Sequence, residues 1–346
     1  MNTKLSFGLY LLLLLGLVLA PFFGAYPVFV MKLLCFALFA SAFNLLLGYT
    51  GLLSFGHAAF LGGSAYVAGH AMKVWGLTPE LGLLVGMLMG ALLGWLFGLL
   101  AIRRQGIYFA MITLAFAQMV FFLAVQLKFT GGEDGLQGVP RGKLFGLIDL
   151  HHELAMYYFT LVVCVLGFLL IVRTIRSPFG QVLKGIKENE ARALSLGYDT
   201  QRFKLLAFVI SAALSGLAGS LKTMVLGFAS LSDVHWTTSG QVILMSLVGG
   251  LGTLSGPLAG AAIVVWLENR VDELGQWLAR QSSFDWFNTL GESVSMVMGL
   301  VFLVCVLILR RGLMGELIAL VQRRWHWATR PGRLRALDSS PDEPLL

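Results

Sequence analysis

The sequence predicts an all-α membrane protein of about ten transmembrane helices. Three observations carry this. The chain has 346 residues, 57% of them hydrophobic and 12% charged. Several apolar runs reach the roughly 20 residues that a helix needs to cross about 30 Å of hydrocarbon. The basic residues are also sorted: alternating ten spans puts seventeen Lys and Arg on one face and six on the other, with Lys32 and Lys222 inside spans. A soluble protein would break such runs with polar residues every turn or two. The sorting accounts for the net charge of +7. No basic stripe interleaved with aromatics points to nucleic acid.

The spans fall at about 5–24, 28–48, 52–72, 80–102, 106–126, 155–173, 205–227, 237–251, 254–269 and 290–309. The first follows Lys4 and runs to Phe23, too long for a signal-peptide core, so it is expected to stay as a span. Segment 52–72 is rich in Gly, Ala and Ser and holds His57, and segment 237–251 is short. Segments of this kind often line a cavity instead of crossing. The fourth span carries Gly82, Gly86, Gly90, Gly94 and Gly98 at every fourth position. Such a row lets helices approach closely in lipid, and its drift around the helix suits a right-handed crossing. Ser211, Ser215 and Gly219 repeat the small-residue habit, as do Gly256 and Gly260. The stretch GGLGTLSG at 249–256 reads as a tight turn between two membrane helices. Cys35, Cys164 and Cys305 stand alone in apolar runs, so buried thiols are expected and neither disulfide nor metal spacing is present. Lys32 and Lys222 fall toward the outer ends of their spans and are expected to snorkel to the headgroups.

The positive-inside rule makes the seventeen-residue face cytoplasmic. Both termini and the loop 176–204 then lie in the cytoplasm, and loops 127–154 and 270–289 face outward. The chain divides into a membrane domain, 1–311, with the loop 176–204 inside it, and a tail, 312–346, basic at first and acidic from Asp338 through Asp342 and Glu343. The tail composition predicts disorder.

Several function classes are excluded. No acidic residue falls near the middle of a span; Glu268 and Glu292 lie near span ends. Carriers driven by ion gradients usually need a carboxylate inside the membrane. The nearest ATP-binding stretch, GLQGVPRGKL at 135–144, has Gln137 where the first glycine is needed and Leu144 in place of the Ser/Thr. His57, His70, His151 and His152 are scattered, and no Ser/His/Asp set or HExxH motif is present.

The loop 176–204 is a charged, helix-patterned island, far longer than two spans require. Ser177 and Pro178 make an N-cap and first helical position. Phe179, Val182, Leu183, Ile186, Ala193 and Leu194 trace an apolar stripe, with Lys184, Lys187, Glu188 and Arg192 opposite. Glu188 and Arg192 stand four apart in the favourable order, and Gly197 is placed to end the helix. An apolar stripe outside the membrane must be buried, either on the lipid surface or in a groove of a cytoplasmic protein. Glu188 and Glu190 favour the protein, because the inner leaflet is anionic.

The chain resembles the LivM-type permease of bacterial ABC importers for branched-chain amino acids. NLLLGYTGLLSFGHAAFLGGSAY (44–66), GIYFAMITLAFAQM (106–119), TGGEDGL (130–136) and the stretch from Arg176 to Leu221 carry the resemblance. It implies a type II ABC importer-like permease fold in the inner membrane, working beside a LivH-like second permease. Two ABC ATPases would use ATP and magnesium, so this chain needs no cofactor, and a periplasmic binding protein would deliver substrate. Lys187 to Gly197 would form the coupling helix, with Lys187, Glu188, Asn189, Glu190, Arg192, Ala193 and Gly197 as its coupling residues. Thr130, Gly131, Gly132 and Asp134 would sit where the binding protein docks or at the pathway mouth.

For the pathway, Ser41, Asn44 and Gly48 share a helix face by spacing. Tyr49, Ser54 and His57 follow them, and Thr113 and Gln118 are similar candidates on the fifth span. An interhelical hydrogen bond competes with substrate contact as the role of Asn44. Two further functions stay open: a sister permease for urea or short amides, and a passive channel without partners, in which the cytoplasmic helix would have no task.

Overall fold

The computed structural model describes residues 13–24, 26–282, 299, 300, 303, 307 and 312–316. The expected span 290–309, the tail and Cys305 lie largely or wholly outside these residues. The helices that position the site are α1 (Pro27–Thr50), α2 (His57–Lys73), α3 (Pro79–Ala101), α4 (Ile107–Gln126), α5 (Glu153–Arg176), α6 (Pro178–Glu188), α7 (Glu190–Ser195), α8 (Thr200–Leu226), α9 (Trp236–Gly249) and α10 (Gly256–Ser282). An apolar helical stretch, Leu13–Phe23, precedes them. Among the described residues, α1, α3, α4, α5 and α8 are long and apolar enough to cross a membrane. The chain is thus a multi-pass helical membrane protein.

Both doubtful spans come out short, at 17 residues for α2 and 14 for α9. The chain leaves α1 at Thr50, runs without regular structure through residues 51–56, and starts α2 at His57. Helix α10 continues through Ser282. The segment from 270, expected as an outer loop, is therefore helical to that point. Its sequence, RVDELGQWLARQS, is dense in good helix formers.

Helix α8 is central, packing most extensively on α3, then on α2 and α1. The glycine row explains the first contact. A Cβ at Gly90 would lie 2.6 Å from the Ala212 carbonyl and 3.0 Å from the Gly216 Cα, while one at Gly86 would overlap the Ser220 hydroxyl. The small residues of α8 receive the row, and backbones meet where larger side chains would hold them apart.

One end of the bundle carries α6 and α7 and is called the basic end. The far end carries two small antiparallel ladders. β1 (Leu136–Gln137) pairs with β4 (Phe228–Ala229), and β2 (Lys143–Leu144) pairs with β3 (Ile148–Asp149). His151 donates its backbone N–H to Asp149 and sets its ring 2.7 Å from the same carboxylate, holding the Asp149 carboxyl below its ordinary range.

Lys222 does not snorkel. It is 8% exposed, forms an ion pair with the equally buried Asp233, and lies over the Phe36 ring at 5.4 Å. Asp233 stands outside any span, in the turn before α9, and the fold returns it to the end of α8. A cation with a partner inside the bundle has no need to reach water. Cys35 and Cys164 are buried free thiols, as expected.

Candidate functional site

The loop between α5 and α8 is built from two short helices where the pattern suggested one. Ser177 caps α6 by accepting the Gly180 N–H at 3.4 Å. At Asn189 the backbone turns extended (φ −157°, ψ 99°), and its side chain accepts the Arg192 N–H at 3.0 Å, so that it caps α7. The break separates Glu188 from Arg192. Gly197 then takes a left-handed φ of +88° and ends the unit, as its position suggested. Asn189 is thus a capping residue, and its functional oxygen is already engaged.

All of the apolar stripe but Leu194 is wholly or partly buried against the chain itself, which corrects both readings of where it goes. Leu183 and Ile186 are enclosed where α6 folds back over α1, α5 and α8, and Phe179 stacks on Phe203 at 5.5 Å. Lys187, Glu188, Asn189, Arg192, Leu194, Leu196 and Tyr198 are exposed, with Leu196 at 70%. Leu196 was not among the sequence candidates, because it lies off the stripe of α6. Ala193 is buried.

Two ties fix this unit to the membrane helices. Glu190 accepts hydrogen bonds from Lys204 at 2.6 Å, Thr200 at 3.0 Å and Gln105 at 2.7 Å. It therefore staples α7 to the start of α8 and to the turn before α4. Lys187 reaches inward and donates to the Gly48 carbonyl at 2.7 Å. Both charges are thus engaged by the chain, although Lys187 itself remains exposed.

From Gly48 the connection continues. Asn44, one turn back on α1, donates to the Thr253 carbonyl at 2.9 Å and accepts the Gly252 N–H at 3.0 Å. It binds the α9–α10 turn as a peptide group would. Gly48 permits this, since a Cβ there would overlap Asn44 and lie 2.8 Å from the Gly252 nitrogen. Lys184 lies over the Tyr49 ring at 5.8 Å. Gly48, Tyr49, Lys184, Lys187, Glu188 and Gly252 surround an open cavity of about 450 Å³. The arrangement is mechanical: it joins the loop to the end of α1 and to the turn between α9 and α10.

The remaining pathway candidates gather deeper in the bundle. Thr113 accepts the Phe55 N–H at 3.1 Å and donates to Ala110, while Ser54 accepts the Gly56 N–H at 3.1 Å. Ser239 of α9 accepts the Ala58 N–H at 2.9 Å. These hydroxyls satisfy backbone groups of the irregular stretch 51–56 and of the start of α2, which lack helical partners. His57 is fully buried, 2.9 Å from the Ser211 hydroxyl and edge-on to Phe43, Phe60 and Phe208. Ser41 donates to the Ala37 carbonyl at 2.7 Å. Gln118 of α4 is half-buried.

At the far end, TGGEDGL forms two 3-10 turns hinged at Gly131, where φ is +81° and a Cβ would overlap the Gly135 carbonyl. Thr130 is buried and donates to Ala124 and Leu127. Gly132 is half-buried, whereas Glu133 and Asp134 are exposed at the rim.

A family model described as the branched-chain amino acid transport system permease component matches residues 28–307. The high-affinity branched-chain amino acid transport system permease protein LivM of Escherichia coli (strain K12) is 29% identical over 250 residues, covering 64% of this chain and 58% of that protein. The ribose import permease protein RbsC of Bacillus subtilis (strain 168) is 32% identical over 217 residues, covering 61% and 66%. The probable LivM of Methanocaldococcus jannaschii is 26% identical over 178 residues, covering 48% of each chain. The chain thus spans 58% of the length of the Escherichia coli relative. No solved structure matches it significantly. The matched region takes in the bundle, the braced loop and the α9–α10 turn pinned by Asn44, and the chain belongs to the family of branched-chain amino acid transport permease components.

Proposed function

We propose that this chain is the permease subunit of an ATP-driven importer that moves branched-chain or other hydrophobic amino acids across the bacterial inner membrane. The observation that carries the reading is the loop braced on two sides, by Lys187 to Gly48 and by Glu190 to α8 and Gln105. A loop tied this way transmits force, and energy must arrive from another subunit. In this reading the membrane domain, 1–311, follows the type II importer plan with about ten spans. The basic end, both termini and the tail, 312–346, face the cytoplasm. Two ABC ATPases, with their ATP and magnesium, bind the coupling loop, 176–204. A LivH-like permease completes the pathway, and a periplasmic binding protein docks near Thr130–Asp134.

Within the loop, Glu188, Arg192, Leu194 and Leu196 meet the ATPase, while Lys187, Asn189, Glu190, Ala193 and Gly197 hold the shape. The pathway runs along the Gly48–Tyr49 corner and the Gln118 face of α4. Ser41, Asn44, Ser54, His57 and Thr113 set that wall from behind.

The test is reconstitution with the second permease, both ATPases and the binding protein. Leucine uptake should need ATP and the binding protein, and Glu188→Gln with Arg192→Ala should abolish it. Unchanged uptake and ATPase binding in that variant would overturn the coupling assignment. Uptake without ATPases would make the chain a passive channel. The molecule held by a binding protein encoded beside this gene decides the cargo, and urea or a short amide there would replace the amino acid.

A further inference from the structure

The β2–β3 hairpin at the far end carries a bare apolar tip. Phe145, Leu147 and Ile148 are 72%, 88% and 53% exposed. The base of the hairpin is firmly seated. Leu150 is fully buried and donates to the Gly142 carbonyl at 3.2 Å, and Val139 donates to Gly227 at 2.8 Å. Arg141 reaches the Val225 carbonyl at 2.9 Å. The tip is therefore held out by a rigid mount.

The backbone points the same way. Phe145 has a φ of +48°, a left-handed conformation that bulky residues rarely adopt. Hairpin positions of this kind usually go to Gly or Asn. Here the strained position holds an aromatic ring away from the protein.

The location names the occupant. Gly142 lies against the ring of Pro79, in the first turn of α3. The exposed flank of α3 continues from there through Leu81, Leu84 and Leu88, and Val74 and Trp75 stand exposed just before it. The tip thus extends an exposed apolar strip along a helix long and apolar enough to cross a membrane. Beneath it, Lys143, His151 and His152 are exposed at the base. At that base His151 is paired with Asp149, which leaves Lys143 as the exposed cation. An apolar tip beside a lysine suits the headgroup boundary, where Trp also collects.

We infer that the β2–β3 hairpin is a membrane-interface anchor, with Phe145, Leu147 and Ile148 among the acyl chains and Lys143 at the lipid phosphates. The inference needs the protein to reside in a bilayer and does not rest on the transport reading.

The test uses the full chain in phosphatidylethanolamine–phosphatidylglycerol vesicles. A Leu147→Cys variant is labelled with an environment-sensitive fluorophore, and the unsubstituted chain is labelled in parallel as background for the native cysteines. A Glu133→Cys label on the same loop is the aqueous reference. Expected at position 147 are blue-shifted emission, quenching by nitroxide-bearing lipids and protection from iodide. Iodide quenching equal to that at position 133, with no response to nitroxide lipid, would overturn the inference. Shielding that appears only when a periplasmic binding protein is added would also overturn it and make the tip a protein-docking surface. An Ile148→Cys label reads the same outcomes if Leu147→Cys fails to fold.

Discussion

The polar residues around the start of α2 and those of the α6–α7 unit have opposite fates. In the bundle, Ser54, Thr113, Ser239 and His57 are all turned on the chain itself, each within hydrogen-bond distance of a backbone or hydroxyl group. On the α6–α7 unit the polar groups divide. Lys187 and Glu190 bind inward, while Glu188, Arg192 and their apolar neighbours Leu194 and Leu196 face outward. The difference follows from the solvent. In hydrocarbon every backbone N–H needs a protein acceptor. At the water interface a charge can stay solvated and remain available to a partner.

Removing buried polar groups should therefore be costly, and the largest effect belongs to Lys222. Lys222→Met leaves Asp233 buried and unpaired, a loss of about 3–5 kcal/mol. Adding Asp233→Leu should restore most of it. Thermal unfolding in detergent measures both, and an unchanged melting temperature for the single variant would show that the pair carries no such weight. Asn44→Leu comes next. It strands the Gly252 N–H and the Thr253 carbonyl, at about 1–3 kcal/mol for each group left unpaired. Thr113→Val should cost about 1 kcal/mol through the Phe55 N–H, and Thr113→Ser, which keeps the hydroxyl, should cost less.

The comparison also explains which features are legible in the sequence. The glycine row of α3 announces close packing because every fourth residue is small, a pattern set by local geometry. The Ser177 cap and the Gly197 stop are legible for the same reason. The break at Asn189 is hidden although Asn is a good cap, since the apolar stripe runs past it on both sides. Ser41, Asn44 and Gly48 do share a face, but spacing cannot say whether that face looks at a substrate or at the chain's own backbone. That depends on residues 51–56 and on the turn at Gly252, far away in sequence. Asp233 gives no local sign of its role, because only the fold brings it to Lys222.

The smallest effect on stability should come from the outward face of α7, and it sharpens the contrast most. Leu194 and Leu196 are 54% and 70% exposed, so replacing both with Ser removes little packing. Stability should stay within about 0.5 kcal/mol of the parent chain, as for other surface changes. If these residues anchor an ATPase, retention of that subunit during purification should nevertheless fall, because a few contacts near the centre of an interface carry most of its binding energy. Glu190→Gln is the useful counterpart. It weakens the ties to Lys204, Thr200 and Gln105 without touching the outward face, so it should lower the melting temperature modestly and leave retention largely intact. The reverse result, retention lost with Glu190→Gln and kept with the double serine variant, would place the contact on the buried side of the loop and dissolve the distinction between bracing and docking residues.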